Sequence, residues 1–195
     1  MSNEQVGRTP FPHSTIDNRQ STIVLVSSNP HKQKDAVSVR GVVLTISDTR
    51  TPETDSSGAL IRERLGSAGH SVVGYEILPD EPKRIAERVM HWCESGDCDA
   101  IILTGGTGLA PRDTTHEAVS GLLEKTLDGF GELFRMLSYQ EIGAAAMLSR
   151  AVGGVRGATV VFSLPGSTAA VRLAMERLIV PQLSHIVGLL GAHRP

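Results

Sequence analysis

The stretch that most constrains this chain is AIILTGGTGLAPRDTTHEA, Ala100 to Ala118. Ala100-Ile101-Ile102-Leu103 is an unbroken apolar run, as expected of a parallel strand covered on both faces. Gly105, Gly106 and Gly108 let the backbone turn and approach a ligand closely, with Thr107 between them. Thr114 and Glu117 stand at capping-box spacing, so a helix start with open amides is expected beside the glycines. Such a place welcomes an anion, and a Cβ at Gly106 or Gly108 is expected to block its approach. Asp113 is the odd member, because a carboxylate beside a phosphate repels it unless a divalent cation joins them. Hard Mg²⁺ bridging carboxylate and phosphate oxygens answers that objection. The stretch is neither a dinucleotide fingerprint, since Pro111 replaces the third glycine, nor a P-loop, since no Lys-Ser/Thr follows. A generic glycine-rich turn is the plainer reading.

The rest of the chain supplies a scaffold for such a loop. Val42 to Ile46 and Val72 to Leu78 read as further strands. The first is followed by a helix that Thr54 to Gly58 caps, that carries Ile61, Leu65 and Ala68 inward and that stops at Gly69. Pro82 opens the next helix, whose apolar stripe is Ile85, Ala86, Val89, Met90 and Cys93. Beyond the loop, Ala118 to Leu127 and Phe130 to Leu137 read as two helices separated by Gly129, with Ala144 to Leu148 also helical. Ala151 to Phe162 reads as two short strands, and Ser163 to Ser167 opens a last helix with a kink expected at Pro181. This βαβαβ order predicts an α/β fold with a largely parallel sheet between helical layers and ligands at the carboxyl ends of its strands. Asp48, Asp80 and Asp113 all follow such ends, although aspartate is also a common turn residue.

Composition narrows the partners. The 195 residues suit one domain with a real core, preceded by a polar segment, residues 1–38, read as a flexible extension. Within it Ile23 to Val26 could pair with a sheet edge. A net charge of −2 leaves no electrostatic footprint for nucleic acid. No apolar run reaches the roughly 20 residues of a membrane span. Cys93 and Cys98 lack a matching His or Cys cluster and are expected to be reduced thiols in a cytoplasm. None of the seven histidines stands at convincing metal-ligand spacing. Ser57 and Ser167 lie outside any G-x-S-x-G, so capping or donation to a phosphate suits them better than nucleophilic attack.

TGGTGLAPRDTTHEA, with D-S-S-G at Asp55 to Gly58, I-L-P-D at Ile77 to Asp80, GFGELFRMLSYQEIG and LPGS, resembles the MoaB/Mog family of molybdenum-cofactor biosynthesis proteins from roughly Arg40 to Leu183. The resemblance implies a three-layer α/β fold, residues 39–195 here, that binds molybdopterin and assembles as a homotrimer or a dimer of trimers. Active members transfer AMP from Mg·ATP to the terminal phosphate of molybdopterin and release pyrophosphate. The alternative is a noncatalytic molybdopterin-binding or carrier protein with the same pocket. The family's two essential aspartates fall on Asp80 and Asp113, which would hold Mg²⁺. Some members called MoaB lack the first, so its presence favours activity. Gly105, Gly106, Thr107 and Gly108 would cradle phosphates, and Ser57, Gly58, Gly166 and Ser167 would line the pterin or nucleotide cleft. The chain departs from the family in His116, where proline is usual, and in its N-terminal extension.

Overall fold

The computed structural model describes residues 37–191. The expectations of an extension over residues 1–38 and of a strand at Ile23 to Val26 fall largely or wholly outside them. Six strands form one sheet in the order β2-β1-β3-β6-β5-β4. These are β1 (Arg40–Ile46), β2 (Ser71–Leu78), β3 (Ala100–Thr104), β4 (Lys125–Thr126), β5 (Val152–Arg156) and β6 (Thr159–Leu164). The pairs β1–β2, β1–β3 and β3–β6 are parallel, whereas β5 and β4 run antiparallel to their neighbours. The expected α/β fold with its largely parallel sheet is therefore present.

Two-residue periodicity explains why the central strands are apolar throughout. Successive side chains of a strand face opposite sides. Val43, Ile102, Val160 and Phe162 thus join one core, while Val42, Leu44, Ile101, Leu103 and Val161 join the other. Helices α1 (Ser56–Ser67), α4 (Asp128–Ile142), α5 (Thr168–Ala174) and α6 (Val180–Gly191) cover the first face. The second is covered by α2 (Pro82–Ser95) and α3 (Thr115–Ser120). Connections leave β1 toward β2 and return past it to β3, which places a topological switch point at the ends of β1 and β3.

Several local expectations need correction. Ala68 is exposed at the end of α1. The helix expected over Ala118 to Leu127 is short: α3 ends at Ser120, Leu122 lies in a turn, Leu123 in irregular chain, and Lys125–Thr126 add an edge strand. Gly129 separates nothing, since it lies in the first turn of α4. That helix ends at Gly143, φ +62°, and Gly143–Leu148 continue as a 3₁₀ helix. Before Pro181 the chain widens into a π turn, Met175–Ile179, closed by Val180 N–H donating to the Met175 carbonyl. Proline lacks an N–H and crowds the preceding turn, so the strain is relieved there by local widening. The helical run Thr168–Gly191 is long and apolar enough to cross a membrane by length and composition alone, contrary to the reading of the sequence. Its Val171, Ala174, Met175, Ile179, Leu183 and Val187 are buried in the core.

Candidate functional site

The glycine loop leaves β3 at the switch point and is pressed against β1. Gly105 has φ +104°, and a Cβ there would stand 2.2 Å from the Ile46 carbonyl oxygen. Its amide donates to the Leu164 carbonyl at 3.0 Å, which joins the ends of β3 and β6. Gly106, φ +62°, then turns the chain. Among the described residues, the amides of Gly106, Thr107, Gly108 and Leu109 donate to no protein acceptor. Consecutive open amides are the donor set from which anion-binding concavities are built.

A cleft of about 440 Å³ opens beside this loop. Gly106, Thr107, Gly108 and Asp113 form one wall, and Gly166 and Ser167 at the start of α5 form a second. The third, which the sequence did not reveal, is apolar: Phe134 and Ile142 of α4 with Ala145 and Leu148 of the 3₁₀ helix. A broader, more open depression of about 600 Å³ adjoins the ends of β1 and β2, beside Asp48, Arg50 and Tyr75.

Both expected carboxylates flank the loop. Asp80 reaches it from the end of β2, where its Oδ1 accepts from the Thr114 amide at 3.3 Å and the Thr114 hydroxyl at 3.1 Å. The expected Thr114–Glu117 capping box therefore does not form, and the Thr114 amide is engaged by Asp80 rather than open. Asp80 Oδ2 would lie 2.6 Å from a Cβ on Gly106, and Asp113 Oδ2 would lie 2.5 Å from one on Gly108. Side chains at these glycines would thus strike the site's own carboxylates, a more direct injury than the expected blockade of ligand. Asp113 Oδ2 accepts from the Ala110 amide at 3.0 Å. Asp48 stands behind, accepting from Arg112 Nε at 2.6 Å and from the Asp80 amide at 3.2 Å. The Arg112 guanidinium, then the Asp80 amide, hold the Asp48 carboxyl below the usual carboxylate range.

Ser57 and Gly58 support the cleft from behind instead of lining it. The buried Ser57 hydroxyl donates to the Gly166 carbonyl at 3.0 Å, and Gly58 packs so closely on Asp55 that a Cβ would stand 2.1 Å from its Oδ2. Ser167 caps α5, its hydroxyl accepting from the Ala170 amide at 3.2 Å.

Asp55 is more than the helix cap that the sequence shows. Its buried carboxylate accepts from Thr45 Oγ1 at 2.6 Å, Tyr75 Oη at 2.8 Å, the Gly58 amide at 2.9 Å and Arg50 Nη1 at 3.2 Å. Burial pushes this carboxyl up, but the four donors together outweigh it and hold it below the usual range. Burial, and then the bond to Asp55, push the Tyr75 phenol up to about 12. Arg50 Nη2 donates onward to the Gly166 carbonyl at 3.1 Å, so this network sets the second wall of the cleft.

The profile described as "Probable molybdopterin binding domain" matches residues 42–185. The chain belongs to the MoaB/Mog family of molybdenum-cofactor biosynthesis proteins. Molybdenum cofactor biosynthesis protein B of Halalkalibacterium halodurans is 53% identical over 167 residues, covering 83% of this chain and 96% of that protein. The crystal structure of the tungsten cofactor synthesizing protein MoaB from Pyrococcus furiosus superposes with a TM-score of 0.71 at 37% identity, covering 78% of this chain and 97% of that one. The Mog protein of Mycobacterium ulcerans superposes with a TM-score of 0.72 at 28% identity, covering 80% and 100%. The MoaB/Mog match runs from β1 into α6 and contains every residue of the cleft.

Proposed function

We propose that this MoaB/Mog protein is a molybdopterin adenylyltransferase. The observation that carries the reading is one glycine loop with four open amides that has a carboxylate beside each of two glycines, Asp80 at Gly106 and Asp113 at Gly108, of which only Asp113 also lines the cleft. Amides alone would serve an anion, and carboxylates alone a cation. Together they suit a phosphate that arrives with a divalent ion.

Magnesium fits the donors present. Asp80 Oδ2 and Asp113 Oδ1 accept no hydrogen bond among the described residues, and the buried Thr115 hydroxyl oxygen, without a partner, would lie 2.2 Å from a Cβ on Gly106. No three His, Cys, Asp or Glu side chains gather into a cation cage among the described residues. Mg²⁺ is commonly held in this way, by one or two carboxylates with water and substrate phosphates. Bound there by Asp80 and Asp113, it would neutralise phosphate charge.

The reaction needs no covalent help from the protein. The terminal phosphate oxygen of molybdopterin attacks the α-phosphorus of ATP, the bond from that phosphorus to the bridging oxygen breaks, and pyrophosphate leaves. The chain's work is positioning and electrostatics. The loop amides hold phosphate oxygens, Phe134, Ile142 and Leu148 give the cleft an apolar wall, and the start of the Thr168–Gly191 helical run presents its positive end.

Self-association belongs to the same reading. Leu133, Met136, Tyr139 and Ile142 form an exposed stripe along α4, continued by Met147 and Leu148 on the 3₁₀ helix. Another copy covering this stripe would enclose the cleft's third wall, in a trimer or a dimer of trimers.

Asp80→Asn and Asp113→Asn, made separately, test the chemistry. Each amide keeps its shape and loses its charge. Turnover should fall by about two to three powers of ten, or roughly 3 to 4 kcal/mol of barrier, with molybdopterin affinity by calorimetry nearly unchanged. Near-normal pyrophosphate release in both variants would reject the assignment.

A further inference from the structure

Arg150 stands between the 3₁₀ helix and β5, and its guanidinium is devoted to the glycine loop. Nε donates to the Thr107 carbonyl at 3.0 Å, while Nη2 donates to the carbonyls of Gly108 at 2.6 Å and Asp113 at 3.0 Å. Nη1 pairs with Glu117, the residue expected to complete a capping box. The Arg150 backbone is fixed from the same helix, since its carbonyl lies 2.7 Å from His116 Nδ1. A carbonyl only accepts, so Nδ1 carries the proton. Two adjacent residues of α3 thus hold Arg150, one by its backbone and one by its side chain.

The consequence follows from peptide geometry. In a planar trans peptide the N–H points opposite to the C=O. Drawing the carbonyls of Thr107, Gly108 and Asp113 to one guanidinium therefore aims the amides of Gly108, Leu109 and Thr114 the other way. The third bears this out directly, because the Thr114 amide donates to Asp80. The first two are among the amides with no protein acceptor.

We infer that Arg150 is the positioning residue that sets the polarity of the loop. Its guanidinium gathers the carbonyls behind the loop so that the Gly108 and Leu109 amides are presented, already oriented, to a phosphate group. The inference rests on the phosphate reading of the loop given above and adds the residue that prepares it. A guanidinium suits the task because its planar fork serves several acceptors in a fixed relation, which a single ammonium does not.

Pyrophosphate with Mg²⁺ is the probe, followed by calorimetry and by the amide resonances of Gly108 and Leu109. In the parent protein, pyrophosphate should shift both resonances. Arg150→Lys retains charge and reach and should melt close to the parent, yet bind pyrophosphate on the order of tenfold more weakly. Arg150→Ala should bind more weakly still, without the two shifts. A tie that serves stability alone would lower the melting temperature of Arg150→Ala and leave affinity and resonances as they were. Parent-like affinity in both variants overturns the inference while the phosphate reading stands. A parent protein that binds no pyrophosphate overturns the reading and the inference together.

Discussion

Gly108 offers a way to displace the Asp113 carboxylate while leaving the backbone nearly undisturbed. Its φ lies outside the left-handed region, so alanine escapes the penalty that region imposes. The added Cβ would stand 2.5 Å from Asp113 Oδ2 and 3.1 Å from its Cγ. The carboxylate must retreat by roughly 1 Å to reach ordinary contact. That movement breaks its bond from the Ala110 amide, at a cost of about 0.5 to 1.5 kcal/mol. Replacing glycine returns about 0.4 to 1 kcal/mol through the unfolded chain. Stability should therefore change little, with the melting temperature within about 4 °C of the parent. Activity should not escape, since a misplacement of about 1 Å in a reacting site costs about two powers of ten, or roughly 2.7 kcal/mol. The assay is pyrophosphate release by Gly108→Ala, Asp113→Ala and the double variant. If the glycine acts through Asp113, Gly108→Ala should cost nothing further once Asp113 is alanine. Full turnover in Gly108→Ala, or additive losses in the double variant, would refute this reasoning.

Gly106→Ala should be far less tolerated, because its left-handed φ and its contacts with Thr115 and Asp80 penalise any side chain; a destabilisation of about 2 kcal/mol or more is expected in thermal melts. The Asp55 carboxyl sits below its ordinary value in the folded protein, so its stabilisation is complete above the unfolded carboxylate value near 4 and is lost as pH falls through the lower folded value. Asp55→Asn should cost about 2 kcal/mol at neutral pH and flatten that acid limb in denaturant titrations between about pH 5 and 2; an unchanged limb would remove Asp55 as its cause. Light scattering should give a multiple of the 20.8 kDa chain mass at micromolar concentration, and Tyr139→Asp, which charges the exposed α4 stripe, should shift it toward the monomer. A monomeric parent would reject the assembly.

The strands were legible because burial on both faces writes itself as an uninterrupted apolar run, as in Ala100 to Leu103. The glycine loop and its aspartates were legible because turn chemistry is local, and Asp80 and Asp113 do meet that loop from different strand ends. What escaped was set by distance along the chain. Arg150 lies 43 residues from Thr107, and Arg50 lies 116 from Gly166; nothing near either arginine marks its partner. Glu117 sat at the right spacing for a capping box, yet it pairs with Arg150 while Asp80 takes the Thr114 amide, a case of tertiary contacts overriding a local motif. The edge strand Lys125–Thr126 escaped for the opposite reason, being too short and too exposed to carry any periodicity.

Whether the cleft joins AMP to molybdopterin, as proposed, is decided by pyrophosphate release from the unmodified protein given Mg·ATP and molybdopterin. One pyrophosphate should appear per adenylylated molybdopterin formed, dependent on both substrates and abolished by chelating Mg²⁺. Molybdopterin binding without any release of pyrophosphate would contradict the proposal and assign the cleft to a noncatalytic carrier.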